Sequence, residues 1–235
     1  MNHCAAPAPA APPGEPAAAA PRRSHETLVA PTLLPNGIEY SVHTLPRAFR
    51  ADLQPVLPGV PLDDAADATA AAAAAAAPFL LVPTCQRAAV DLVRWDDEVA
   101  AEKDLLLERF VAWAAAVCDA LAARGCWGDY VDPCSGLAVR TPHSRIAYPE
   151  VDAFETLLRW RTSVAGCCKV LAHPTWGTSV YLATLFARAP VDALQSALRE
   201  AAAAVPVQQR LAAEEAAAAG GGGMAGGAAA EQGGK

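Results

Sequence analysis

The residues best suited to chemistry in this 235-residue chain lie in AGCCKVLAHPTWGT, Ala165 to Thr178. Two thiols, Cys167 and Cys168, stand side by side, Lys169 follows, and His173 and Trp176 lie a few positions on. Adjacent cysteines rarely bridge each other, because the ring they would close is strained. They also lack the two-residue gap of a redox or zinc pair. In a strand, successive side chains point to opposite faces, so the two thiols cannot share one environment. One packs as a small hydrophobe; the other stands on the opposite face or at the sheet edge. Lys169 then falls on the same side as Cys167, and a nearby cation lowers a thiol's pKa toward thiolate. From the residues alone, two packed thiols and one exposed thiolate both remain open.

Other chemistries are excluded by pattern. The seven cysteines are odd in number and none are spaced C-x-x-C, which fits free thiols in a reducing compartment. His3, His25, His43, His143 and His173 are scattered without metal-ligand spacing. There is no G-x-x-x-x-G-K-[ST], no G-x-S-x-G and no H-E-x-x-H, and the closely spaced glycines lie in the C-terminal tail rather than after a strand. Of the paired carboxylates, Asp63-Asp64 belongs to a loop and Asp96-Asp97 to a helix cap. The net charge is −7 and no basic run exceeds Arg22-Arg23, which argues against a nucleic-acid groove or an anionic-membrane patch. No stretch reads as a transmembrane helix or a secretory signal.

The elements that must position the thiols follow from periodicity. Residues 1–36 hold eight prolines among alanines and read as disordered. IEYSVHT, Ile38 to Thr44, alternates as a half-buried strand with Glu39, Ser41 and His43 on the polar face. A short helix follows, opened by Pro46 and stopped near Pro55. Ala65 to Ala77 is a low-complexity insertion in a loop. Phe79 to Trp95 contains two β-like runs. The longest helix runs from about Asp97 to Arg124, with Leu106, Phe110, Trp113, Val117 and Leu121 as its apolar stripe and Gly125 as its stop. CWGDYVDPCSGLAVR reads as strand, turn, strand. Pro149 to Trp160 includes a helical piece. CCKVLAH and TSVYLATLFAR read as an antiparallel strand pair joined by a Pro-Thr-Trp-Gly turn. A last helix starts near Pro190-Val191 with Leu194 and Leu198 inward, and the chain ends in an Ala/Gly-rich tail from about 201. The expectation is an α+β domain on a mainly antiparallel sheet over 37–200, with one long central helix and flexible segments at 1–36 and 201–235.

Two pieces of sequence carry a resemblance. Asp129-Tyr130-Val131-Asp132-Pro133 with Ser135-Gly136-Leu137, and Gly166-Cys167-Cys168-Lys169-Val170 with His173, Trp176, Gly177 and Thr178, occur in order within Ile38 to Arg199. This stretch resembles the methylmalonic aciduria and homocystinuria type D protein family, the cobalamin D proteins. Cys134 stands where the family tends to show a small hydroxyl residue. The resemblance implies a nitroreductase-like α+β sandwich that has lost flavin binding and catalysis. It implies a non-enzymatic adaptor that binds no cofactor alone but shares cobalamin with the type C cobalamin-processing protein. The cargo then goes to methionine synthase in the cytosol or methylmalonyl-CoA mutase in the mitochondrion. The first cysteine of G-C-C-K, here Cys167, is the implied cobalt ligand, with Lys169, His173 and Trp176 as its surroundings. The short Pro/Ala-rich start favours the cytoplasmic branch, with the mitochondrion as the alternative. The rival is a flavin- or thiol-dependent reductase of the nitroreductase-like group. It needs a basic cluster for a flavin phosphate, for which Arg140, Arg145, Arg159 and Arg161 are the candidates.

Overall fold

β-branched and aromatic residues alternating along Ile38–Thr44, and an uninterrupted apolar run at Phe79, place the first strands of the sheet. A computed structural model of the chain describes residues 25–62, 77–165 and 168–205. The strands are β1 (Thr27–Leu33), β2 (Ile38–Thr44), β3 (Phe79–Arg87), β4 (Trp127–Tyr130), β5 (Arg161–Ala165), β6 (Cys168–Ala172) and β7 (Val180–Arg188). The helices are α1 (Arg50–Leu53), α2 (Asp97–Ala122), α3 (Glu150–Leu158) and α4 (Val191–Ala204), with a 3-10 turn at Arg47–Phe49 before α1. β1-β2-β3-β7-β4 form one sheet in that order, and β5-β6 form a separate ribbon; every strand pair is antiparallel. The chain is thus α+β with a mainly antiparallel sheet, as the sequence predicts.

α2 starts and stops where its sequence dictates. The Asp96 carboxylate accepts from Val99 N at 2.9 Å, Asp97 and Glu98 sit in the first turn, and Gly125 leaves the helix at φ +71°. Leu106, Phe110, Trp113, Val117 and Leu121 are all fully buried, joined from α4 by Leu194 and Leu198. This layer covers one face of the sheet through Leu80 and Val82 of β3 and Leu185 of β7. The alternate residues Phe79, Leu81 and Phe186 face a second core built with Leu53, Leu57, Tyr148 and Leu157. With helices on one side and α1, α3 and the ribbon on the other, β3 has no wet face, which is why it reads as a continuous apolar run.

Several expectations are corrected. Phe79 to Trp95 holds one strand, not two, and that strand passes through Pro83. Pro83 has no N–H to give, and the β2–β3 register lacks its pairs at Ser41 and Val42 between Tyr40↔Thr84 and His43↔Leu81. The sheet begins earlier than 37: Thr27–Leu33 forms an edge strand, and Pro31 falls at a register shift between Val29 and Thr32, where the ladder is irregular. β2 is not half-buried; Ser41 and His43 are 2% and 0% exposed, because the second layer covers the polar face as well. CCKVLAH and TSVYLATLFAR are not paired. β7 has both edges taken, by β3 over nine residue pairs and by β4, so β6 pairs with β5 instead. The return limb after the Asp132-Pro133 turn makes a single bridge, Val131↔Ala138. Helix α4 runs to Ala204, beyond the expected boundary at 200. The segment 1–24, the alanine-rich run with Asp63-Asp64 in 63–76, and the tail from 206 lie outside the described residues.

Candidate functional site

The ribbon that carries Cys168 is short, and neither strand joins the main sheet. Its register is Arg161↔Ala172, Thr162↔Leu171, Ser163↔Val170, Val164↔Lys169 and Ala165↔Cys168. Cross-strand partners share a face, so Thr162, Val164, Lys169 and Leu171 form one side. That side meets α3. Leu171 is buried with Phe154, Val180 and Cys85. Lys169 Nζ donates to Asp152 Oδ1 at 2.8 Å and to Glu155 Oε2, and Thr162 Oγ1 donates to Glu155 Oε1 at 3.1 Å. The hydrogen bond from Lys169 holds the Glu155 carboxyl below the usual carboxylate range, and the bond to Asp152 raises the lysine in turn. Two carboxylates and one ammonium leave this cluster net negative, so the lysine's field at a neighbouring thiol is largely offset.

His173 forms the foot of the ribbon and is 6% exposed. Its Nδ1 accepts the backbone N–H groups of Thr175 and Trp176, both at 3.1 Å, so the ring proton sits on Nε2, which donates to Glu39 Oε1 at 3.1 Å. Trp176 stacks on the imidazole at 4.0 Å and Trp160 meets it edge-on at 4.6 Å. The turn after β6 closes through the His173↔Gly177 bridge. His173 and Trp176 therefore pack the turn and tie the ribbon to the polar face of β2.

Beside the ribbon lies an open cleft of about 520 Å³, lined by Leu92, Val93, Trp95 and Lys103 on one side and by Lys169, Val170 and Leu171 on the other. Trp95 is 97% exposed and Val164 78%, the two most exposed large apolar side chains among the described residues.

Of the sequence-predicted site residues, Lys169, His173 and Trp176 stand together at the ribbon. Cys167 lies outside the described residues, and Cys168 is the first residue of β6. The alternation that assigned one thiol to each face thus has a described strand only from Cys168 onward. Among the described residues four other thiols are free: Cys85 and Cys118 are buried, Cys126 half-buried and Cys134 exposed. Burial pushes the Cys85 thiol well up and the Cys118 thiol to about 12, so neither is a thiolate at neutral pH. No group of three His, Cys, Asp or Glu among the described residues could hold a metal ion. Of the four candidate arginines, Arg140 is spent on Asp119 at 2.7 Å and on the Ala115 carbonyl, Arg159 caps α3 at φ +56°, and Arg161 opens β5.

The other marked motif, Asp129 to Leu137, is a structural staple. Asp129 is fully buried; its Oδ1 accepts from Tyr130 N and Arg140 N, and its Oδ2 from Thr141 N and Thr141 Oγ1, all within 2.8 Å. Asp132 accepts from Cys134 N, Ser135 N and Ser135 Oγ, closing the turn. Gly136 is required there: its φ is +73°, and a Cβ would stand 2.9 Å from that of Ala147. Sequence reasoning missed Glu39, Asp152, Glu155 and Trp160 as supports of the ribbon. Only the i, i+3 spacing of Asp152 and Glu155 on α3 could have flagged them.

Fold and site define an α+β protein with a cysteine-bearing β-ribbon docked beside an open cleft. Residues 18–198 match the family described as Methylmalonic aciduria and homocystinuria type D protein, and the chain belongs to that family. It is similar to proteins named Cobalamin trafficking protein CblD from Mus musculus and Homo sapiens, each 31% identical over 155 residues, and from Gallus gallus, 30% identical. Each alignment covers 66% of this chain and 48% of the relative, so the chain spans about half the length of the curated relatives it matches. No helix among the described residues is long and apolar enough to cross a membrane.

Proposed function

We propose that this protein is a non-enzymatic adaptor in intracellular cobalamin handling, built on a nitroreductase-like sandwich. Cobalamin is its cargo and is held by a partner, the type C cobalamin-processing protein. Cys167 supplies a thiolate to one axial position of the cobalt, whose other ligands come from the corrin and the partner. Complex formation then depends on the state of the cofactor, and the cargo passes toward methionine synthase or methylmalonyl-CoA mutase, in the cytoplasm or the mitochondrion. One thiolate is sufficient for this task, so no C-x-x-C pair is needed.

The observation that carries this reading is the family match over residues 18–198, which includes Gly166-Cys167-Cys168-Lys169. Ribbon geometry supports it. Cys168 opens β6 opposite Ala165, the last residue of β5. The ribbon is held at its foot by His173 and Trp176 and along one side by Lys169. The exposed Trp95 and Val164 add apolar surface of the kind a partner covers.

The test is the visible absorption spectrum of cob(II)alamin bound to a type C processing protein, on adding wild type, Cys167→Ser or Cys168→Ser. A shift with wild type and Cys168→Ser, and none with Cys167→Ser, supports the interprotein thiolate bond. No shift with any of the three overturns it.

A further inference from the structure

β4 is shorter than the strand it pairs with. Its residues Trp127 to Tyr130 face Arg188 to Leu185 of β7, and one more bond, from Val131 N to the Thr184 carbonyl at 2.9 Å, ends the ladder before the Asp132-Pro133 turn. On its other side β7 pairs with β3 along its whole length, Val180 to Arg188. Val180 to Ala183 thus have a strand on one side only.

The direction of their backbone groups follows from this ladder. Along an antiparallel strand, N–H and C=O groups point alternately to one neighbour and to the other. The Thr184 carbonyl points to the β4 side, since it accepts from Val131, and the β3–β7 register runs without a bulge. Leu182 and Val180 therefore turn their N–H and C=O to the β4 side as well, and Tyr181 and Ala183 turn theirs to β3. The Ala183 carbonyl agrees, accepting from Thr84 Oγ1 of β3 at 2.8 Å. Among the described residues no hydrogen bond reaches the outward groups of Val180 and Leu182.

This open half-edge lies in the cleft beside the ribbon. Val180 and Leu182 line that cleft, together with Lys103 of α2 and Val151 of α3. α2 covers one face of the sheet and α3 the other, so a cavity lined by both straddles the rim of the sheet. Val151, Leu171, Val180 and Leu182 form an apolar wall on the α3 side, and the fully exposed Trp95 lines the same cleft.

We infer that the half-edge of β7 at Val180 and Leu182 is a docking site for one extended segment of a partner protein, added antiparallel to β7 in line with β4. Guest residues opposite Leu182 and Val180 share their face and meet the apolar wall, so the segment carries apolar side chains at two alternate positions. Walls on both sides of the rim admit a single strand rather than the edge of a second sheet, which argues against another copy of this chain. The chain's own segments 1–24, 63–76 and 206–235 are poor guests in composition. The first is interrupted by prolines, and the others are dominated by alanine or by alanine and glycine, residues depleted in strands. The site needs no thiol and is independent of the cobalamin reading.

The test uses the full chain and, as probe, the blocked peptide acetyl-Lys-Val-Thr-Val-Thr-Lys-amide. The same peptide methylated on both valine nitrogens is the control, since it keeps the side chains and loses the donors. Amide hydrogen exchange of the protein is read residue by residue by NMR. In the free chain the Val180 and Leu182 amides should exchange about tenfold or more faster than those of Tyr181 and Ala183. Saturating probe should slow Val180 and Leu182 by about tenfold and leave Tyr181 and Ala183 unchanged. The methylated peptide should slow neither pair. Val151→Lys, which puts a charge on the apolar wall, should weaken probe binding about tenfold while Tyr181 and Ala183 exchange as in wild type. The inference is overturned if Val180 and Leu182 are already slow in the free chain. Slowing that grows with protein concentration would then assign the edge to a second copy, and slowing independent of concentration to a segment of the chain itself. It is also overturned if the probe slows neither amide, if the methylated peptide acts as the probe does, or if Val151→Lys binds the probe as wild type does.

Discussion

Glu150 and His43 set opposite pH dependences that mask each other. The Glu150 carboxyl is enclosed at the N-terminus of α3, where it accepts one hydrogen bond, from Thr184 Oγ1 at 2.6 Å; burial raises its pKa from 4.5 to about 7. His43 lies under the polar face of β2 between Thr27 and Ser41, with His25 at 5.5 Å; burial first, and His25 second, lower its pKa from 6.5 to about 4. For Glu150, the folded state holds the proton more tightly than the unfolded chain. Its contribution is full below pH 4.5 and is lost as pH rises to about 7. For His43, the folded state resists protonation, so its contribution is full above pH 6.5 and is lost as pH falls to about 4. Each shift corresponds to about 3 kcal/mol. Between pH 4.5 and 6.5 the two slopes are equal and opposite, and wild-type stability should be nearly flat. Glu150→Gln should leave the His43 slope alone, with stability falling by about 3 kcal/mol from pH 6.5 to 4. His43→Gln should leave the Glu150 slope, with stability falling by a similar amount from pH 4.5 to 7. Urea unfolding of the three proteins at half-unit pH steps measures this directly. Parallel curves for wild type and Glu150→Gln between pH 4.5 and 6.5 would refute the assignment.

Other outcomes follow from the same geometry. Asp129→Asn places an amide among four donors and should cost about 2–4 kcal/mol in urea unfolding, with loss of hydrogen-exchange protection at the Arg140 and Thr141 amides. Lys169→Met should raise exchange rates in β5 and β6 while leaving the global Tm nearly unchanged, because the bonds it removes are solvent-exposed and hold only the ribbon to α3. Iodoacetamide on the native protein, read by peptide mass spectrometry, should label Cys134 first among the four described free thiols, Cys126 more slowly, and Cys85 and Cys118 only after unfolding.

Local signals made the helices and most strands legible. The stripe on α2, its Asp96 cap and Gly125 stop are written in neighbouring residues, as are the alternation of β2 and the Pro190 start of α4. The cysteine pair was visible as chemistry for the same reason, since residue type and adjacency need no fold. β1 was hidden because it carries an Ala-Pro step like those of the segment before it, and an edge strand needs only one partner. The second β-like run expected within Phe79 to Trp95 was false, since Leu92, Val93 and Trp95 line a cleft instead of a sheet.

Tertiary structure alone decided which strand pairs with which and which charges meet. TSVYLATLFAR carries the pattern of a strand, but only the sheet order gives both its edges to β3 and β4 and leaves CCKVLAH to pair with β5. The sequence places Lys169 beside the cysteines; the packing of α3 against the ribbon commits its charge to Asp152 and Glu155, fourteen or more residues away. Likewise the sequence sets His173 a few residues from the cysteines, and only the fold brings its Nε2 to Glu39, 134 residues earlier in the chain. Periodicity is a property of neighbours along the chain and can be read from them. Pairing and charge compensation are properties of groups that meet only once the chain has closed on itself.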